Sequence, residues 1–380
     1  MTKPVYLDYN ATTPIDPQVA DAIVPFLREH FGNPSSAHIY GRRAREAVEQ
    51  ARDEVARLIG ATAEEIVFTG CATEANNLAI QGVARALRGA KRHLITSAIE
   101  HPSVLQPFLR LQADGWGLTI LPVDRNGCVD PADVARALRA DTALVSVMHA
   151  NNETGTIQPV AEIAAIARPH GVLVHTDTAQ SIGKIAVNVD ALGVDLLTLA
   201  GHKFYAPKGV GALYVRRGIP MASVLVGAEQ ERGLRPGTEN VPAIVGLGKA
   251  AELARQRLPE AQPRLRQLRD LLHGLLLGQI PGLVLNGHLT ERLPNTLNVS
   301  FPDVDGRALL QHASERVAAS VGAACHGDGH EVSGVLAAMS VPPAQARGAV
   351  RLSVGLPLSN DDVQQAAHAL IAAWRQLKQN

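Results

Sequence analysis

Short apolar runs alternate with segments of helical periodicity through the middle of this 380-residue chain, and few architectures accommodate that pattern. The runs fall at residues 66–68, 93–96, 118–121, 143–148, 172–175, 195–199 and 210–215. Strands this short, separated by helices, read as βαβ units around a parallel sheet covered on both faces. Helical spacing is plain at residues 40–59, where Ala44, Ala47, Val48, Ala51, Val55 and Leu58 share a stripe. After about residue 240 come a long helical tract, an apolar segment at 296–301, further helices, a run at 349–354 and a closing helix near 360–377. The expected fold class is α/β: a large domain with a mainly parallel sheet flanked by helices, plus a smaller α+β domain. The expected boundaries are 15–255 for the large domain, and 1–14 with 256–380 for the small one.

Composition narrows function by exclusion. Thirty-six basic residues balance thirty-six acidic ones, so a general binder of nucleic acid or anionic membrane is not expected. Hydrophobic residues make up 46% of the chain, enough for a core. Three cysteines, odd in number and sparse, argue against a disulfide framework and for a reducing compartment. The first residues lack a signal peptide's apolar core, and no apolar run is long enough to span a bilayer. A soluble cytoplasmic protein is expected.

In an open parallel sheet, ligands bind beyond the carboxyl ends of the strands, so polar residues just after each run hold the interest. Gly70-Cys71-Ala72-Thr73 begins a helix, whose free N–H groups suit a phosphate or merely receive a threonine cap. His101 can stack on an aromatic ligand, shuttle protons, or cap the next helix. Asn151 and Asn152 suit a carboxylate, a ring oxygen or a turn. Asp177 ends a buried run, where a carboxylate needs a partner: a cationic ring nitrogen, or backbone amides. Lys203 directly follows an apolar run in a chain with only seven lysines, and burial there would free its amine as a nucleophile. Together the five junctions match the needs of pyridoxal phosphate: a phosphate site, a stacking ring, an acid for the ring nitrogen, a partner for the ring hydroxyl and a lysine for the aldehyde.

These residues also resemble a known family. Tyr6-Leu7-Asp8-Tyr9-Asn10-Ala11-Thr12-Thr13, Gly32-Asn33-Pro34-Ser35-Ser36, Ala72-Thr73-Glu74-Ala75-Asn76-Asn77, His175-Thr176-Asp177-Thr178-Ala179-Gln180, Gly201-His202-Lys203 and Arg235-Pro236-Gly237-Thr238-Glu239-Asn240 are similar to motifs of the cysteine desulfurase and selenocysteine lyase group, class V aminotransferase-like enzymes. The resemblance implies the type I fold of pyridoxal-phosphate transferases. It gives Lys203 the cofactor aldehyde, Asp177 the pyridine nitrogen, Gln180 the phenolic oxygen, and His101 the ring face. Thr73 and His202 would hold the phosphate, joined by Thr238 from the partner subunit of a homodimer. Asn152 and Arg351 would grip the substrate carboxylate. Lys203 and His101 would carry protons, and Cys325, in a glycine-rich loop at about 320–333, would take sulfur from L-cysteine as a persulfide, leaving alanine. An acceptor protein would then receive the sulfur.

Two departures bear on this reading. Ala200 stands where many cysteine desulfurases have a serine contact to the phosphate, and the loop reads Ala-Ala-Cys-His. The second is nearer the animal selenocysteine lyases, so selenocysteine is the alternative substrate. Gly355-Leu356-Pro357-Leu358 replaces the family's usual Gly-Arg. Cys325, His326, Asp328 and His330 have metal-binding side chains but not a standard zinc spacing, and no metal is expected. An aminotransferase on the same fold and an inactive scaffold are the other readings; no glycine-rich loop supports a nucleotide binder.

Overall fold

A computed structural model describes residues 3–322 and 333–379. Its strands are β1 (Val5–Tyr6), β2 (Ile66–Thr69), β3 (His93–Ser97), β4 (Gly117–Leu121), β5 (Thr142–Ser146), β6 (Leu173–Asp177), β7 (Leu196–Ala200), β8 (Gly211–Val215), β9 (Val284–Asn286), β10 (Thr296–Ser300), β11 (Val317–Ala318) and β12 (Ala349–Ser353). Seven form one sheet in the order β2-β8-β7-β6-β5-β3-β4. Only β8 runs against its neighbours. The inner strands β3, β5 and β7 are buried at every position, as helices on both faces require. Each expected run is a strand, with ends displaced by a residue or two. The run at 143–148 leaves the ladder early because the Met148 N–H turns to donate to the Glu100 carboxylate.

Two smaller sheets lie outside this one. β9, β10 and β12 pair antiparallel, and β1 pairs with β11 in parallel. The helix Val241–Leu277 runs through the expected domain boundary rather than stopping at it. Its first half buries Ile244, Leu247 and Ala251 in the core of the large sheet. Its second half buries Leu265, Leu268, Leu272 and Leu276 in another core, with Leu7, Tyr9, Leu297, Leu352 and Trp374. Gly248 permits a close crossing with the helix Ile39–Ile59: a Cβ there would lie 2.5 Å from the Ala51 Cα. No helix among the described residues is long and apolar enough to cross a membrane.

The topology sends the carboxyl ends of β2, β3, β5, β6 and β7 to one edge of the sheet. The segment after β1 and the strand β12 reach the same place, since Asp8 bridges to Ser353 and Ser320 to Arg351.

Candidate active site

At that edge lies a cavity of about 460 Å³ lined by Thr73, His101, Asn152, Asp177, Gln180, Ala200, His202, Lys203 and Arg351, with Ser320 and Gly322 at its side. Lys203 stands at the end of a single 3-10 turn directly after β7. Its Nζ donates to the Asn10 carbonyl at 2.6 Å and the Ala11 carbonyl at 2.8 Å. Burial, reinforced by the Arg351 charge and opposed by Asp177 and Asp8, brings its pKa down to about 8.

Asp177, the last residue of β6, is buried and fully engaged. One carboxylate oxygen accepts from Asn76 Nδ2 at 2.8 Å, the other from the Ala179 N–H at 2.8 Å. Both donors are neutral, so the carboxylate charge is available to a cation. Asn76 also donates to Ser103 Oγ, which lies 2.8 Å from His101 Nδ1. His101 caps the helix Pro102–Ala113, its Nδ1 accepting from the Ser103 N–H. The neutral imidazole therefore carries its proton on Nε2. Burial, with Lys203 acting in the same sense and Asp177 against it, lowers the pKa of the ring.

Thr73 lies in the first turn of the helix Ala72–Leu87, whose N–H groups face the cavity edge. His202 contacts Thr12 Oγ1 at 3.2 Å, and its pKa falls to about 4, mainly through burial and then through Lys203. Arg351, in β12, donates to Asp8 Oδ1 at 2.7 Å and to the Asn152 carbonyl at 3.2 Å. Its Nε is buried without a partner among the described residues. An anion in the cavity would satisfy that N–H.

Lys203, His101, Asp177, Gln180, Thr73, His202, Asn152 and Arg351 thus line one cavity, whereas Thr238 is exposed in a loop and does not line it. Cys325, His326, Asp328 and His330 lie outside the described residues, and the described residues contain no group of three or more metal-ligating side chains. Of the other thiols, Cys71 is exposed at the cavity rim and Cys128 is half-buried, its pKa raised chiefly by burial.

Sequence reasoning passed over three buried residues that hold this set in place. Asn10 uses every polar atom: its carbonyl accepts from Lys203 and from Gln180 Nε2, and its side chain meets Asn152, Thr296, Asn295 and Lys184. Asn76 joins Asp177 to the His101 cap. Lys184 reaches Gln180. The Asn10 position had a signal, because it lies within the motif around Asp8; Lys184 sits in a turn with nothing around it to mark burial.

Fold and site define a class: an α/β protein with a buried lysine of lowered pKa in a cavity beyond its strand ends. Residues 5–366 match the class-V aminotransferase family, and the chain belongs to that family. Enzymes of this family use pyridoxal 5′-phosphate. The chain is 48% identical over 371 residues to the cysteine desulfurase IscS of Dictyoglomus turgidum, covering 97% of this chain and 94% of that protein. It is 47% identical to the cysteine desulfurase IscS of Anaeromyxobacter dehalogenans, with coverage of 100% and 94%. Among solved structures, a NifS-like protein superposes with a TM-score of 0.93 at 39% identity, covering 98% of this chain and all of the other.

Proposed function

We propose that the protein is a pyridoxal-phosphate-dependent cysteine desulfurase, converting L-cysteine to L-alanine and passing the sulfur to an acceptor. The observation that carries the reading is the meeting of Lys203, Asp177, His101 and Arg351 in one cavity. The residues present fit the cofactor. The Lys203 amine, with its pKa near 8, suits the aldehyde, and the neutral-donor setting of Asp177 suits a ring-nitrogen cation. Thr73 and His202 flank a helix N-terminus for the phosphate, and Gln180 offers a carboxamide to the ring oxygen.

When bound, pyridoxal phosphate draws electrons from the substrate α-carbon, which makes its proton and its β-sulfur labile. The chain supplies the rest. Arg351, with Asn152, holds the substrate carboxylate, the unpartnered Nε adding a donor. Lys203 Nζ and His101 Nε2 hold and move the protons at the reacting carbons. The Cys325 thiolate attacks the substrate sulfur: an S–S bond forms, the C–S bond breaks, and its electron pair returns to the carbon that becomes the alanine methyl group. The outer sulfur then passes to the thiolate of an acceptor protein, which frees the Cys325 thiolate, or leaves as sulfide when an external thiol supplies the two electrons and is itself oxidised to a disulfide. A free thiol with this duty belongs in a reducing compartment, the cytoplasm.

Two further parts complete the reading. The division of the core supports two domains, the long helix linking them. Exposed apolar side chains, Phe31, Ile39, Tyr40, Leu225 and Val226, support a homodimer in which Thr238 serves the partner's phosphate site. One experiment tests the whole: a single turnover with L-cysteine, then mass analysis of Cys325. Wild type should carry one extra sulfur on Cys325 and release alanine; Lys203→Ala and Cys325→Ala should do neither. Alanine release with no sulfur on Cys325 sinks the reading.

A further inference from the structure

Lys184 is 6% exposed and lies in the turn after β6, four residues beyond Gln180. Its Nζ meets no carboxylate among the described residues; it donates to Gln180 Oε1 at 3.1 Å and to Asn10 Oδ1 at 3.5 Å. A lysine buried on two neutral oxygens is costly and calls for a reason. Burial, then the Lys203 and Arg351 charges, push its pKa well below the ordinary lysine value. The charged and titratable groups that interact with Lys184 are Lys203, Arg351 and His202; Asp8, Asp177 and His101 line the cavity beyond.

The hydrogen bonds fix which way the Gln180 carboxamide points. Its Nε2 donates to the Asn10 carbonyl at 3.1 Å, an oxygen that only accepts. Reversed, the Gln180 oxygen would face that carbonyl with no proton between them, and the Lys184 N–H would lose its acceptor on Gln180. The observed orientation leaves the second N–H of Gln180 for the cavity it lines.

We infer that Lys184 is a positioning residue that, by holding the Gln180 carboxamide oxygen, presents a Gln180 N–H to the anionic ring oxygen of the cofactor. The inference rests on the pyridoxal-phosphate reading above. A donor aimed at an anionic oxygen stabilises the anion and lowers its proton affinity. Lys184 thereby tunes the electronics of the bound cofactor without touching it.

The test is a pH titration of the visible absorbance of protein loaded with pyridoxal phosphate. Lys184→Met keeps the unbranched apolar stem and removes the donor; its titration midpoint should rise by about one pH unit, the effect of one lost hydrogen bond to a charged group. Lys184→Gln restores a donor and should return the midpoint to within about 0.3 units of wild type. In a Gln180→Ala background, Lys184→Met should add no further shift. An unmoved midpoint in Lys184→Met, an equal rise in Lys184→Gln, or a persisting shift without Gln180 overturns the inference. A wild-type protein that gains no visible band overturns the cofactor reading itself, so the two failures are distinguishable. Thermal melts of the cofactor-free variants report folding separately.

Discussion

Lys203 sits where burial and the Arg351 charge both press against its ammonium form, and two carboxylates only partly offset them. A pKa near 8 makes a definite prediction for the cofactor-free protein. The neutral amine is the reactive form, so the rate of pyridoxal phosphate uptake should rise with pH and level off above about 8, whereas an ordinary lysine would keep gaining to beyond pH 10. Arg351→Ala removes the repelling charge and should move that midpoint upward. Stopped-flow absorbance at a series of pH values reads both; a rate still climbing at pH 10 in the wild type contradicts the geometry. Lys203 was legible in the sequence because an apolar run ended just before the Gly-His-Lys turn. Lys184 was not, because its burial comes from Asn10, Gln180 and neighbouring turns that meet only after folding. Residue type and local pattern locate the polar groups at a strand's end; they are silent on the groups that a distant segment covers.

At the scale of elements, strands announced themselves by β-branched and aliphatic runs, while the ends of those strands depended on partners elsewhere, as at Met148. The segment leading to Thr238 was less legible still. It is pinned by Glu231, whose carboxylate takes both terminal nitrogens of Arg52, at 2.7 and 2.8 Å, and the Phe68 N–H at 2.8 Å. Arg52 also lies over the Phe68 ring, 4.7 Å from its centroid. Glu231 and Arg232 have φ values of 46° and 57°, a left-handed conformation unfavourable for such residues and held here by the ion pair. Helical periodicity shows Arg52 only as one more charge on a long helix; its partner lies 179 positions away. Arg52→Ala would leave the Glu231 carboxylate buried and unpaired beside β2. Urea unfolding should show a loss of about 3–5 kcal/mol. A loss below about 1 kcal/mol, the level of an exposed pair, would show that the contact does not hold the segment.

The helix Val241–Leu277 joins a core of the large sheet to that of the smaller sheets, and so does the N-terminal segment, which places Asp8 and Asn10 between β12 and the large sheet. That arrangement explains why the cavity draws on residues from position 8 to position 351, and why eight of the expected site residues converge while Thr238 does not. If Thr238 completes the phosphate site of a second copy, two defective chains should repair each other. A Lys203→Ala chain retains Thr238, and a Thr238→Ala chain retains Lys203. In a mixed dimer, one site receives Lys203 from one chain and Thr238 from the other and is intact; the second site carries both defects. Losing one phosphate hydrogen bond of about 1.5–3 kcal/mol should weaken cofactor binding roughly tenfold or more in the Thr238→Ala homodimer. After dissociation and remixing with Lys203→Ala, absorbance titration should recover a tight class of sites, up to one per mixed dimer. Val226→Glu replaces a fully exposed apolar side chain with a charge and should give monomers by sedimentation, with cofactor affinity falling at least as far as in Thr238→Ala. Remixing that restores no tight sites, although mixed dimers form, would place Thr238 in the service of its own chain or of none.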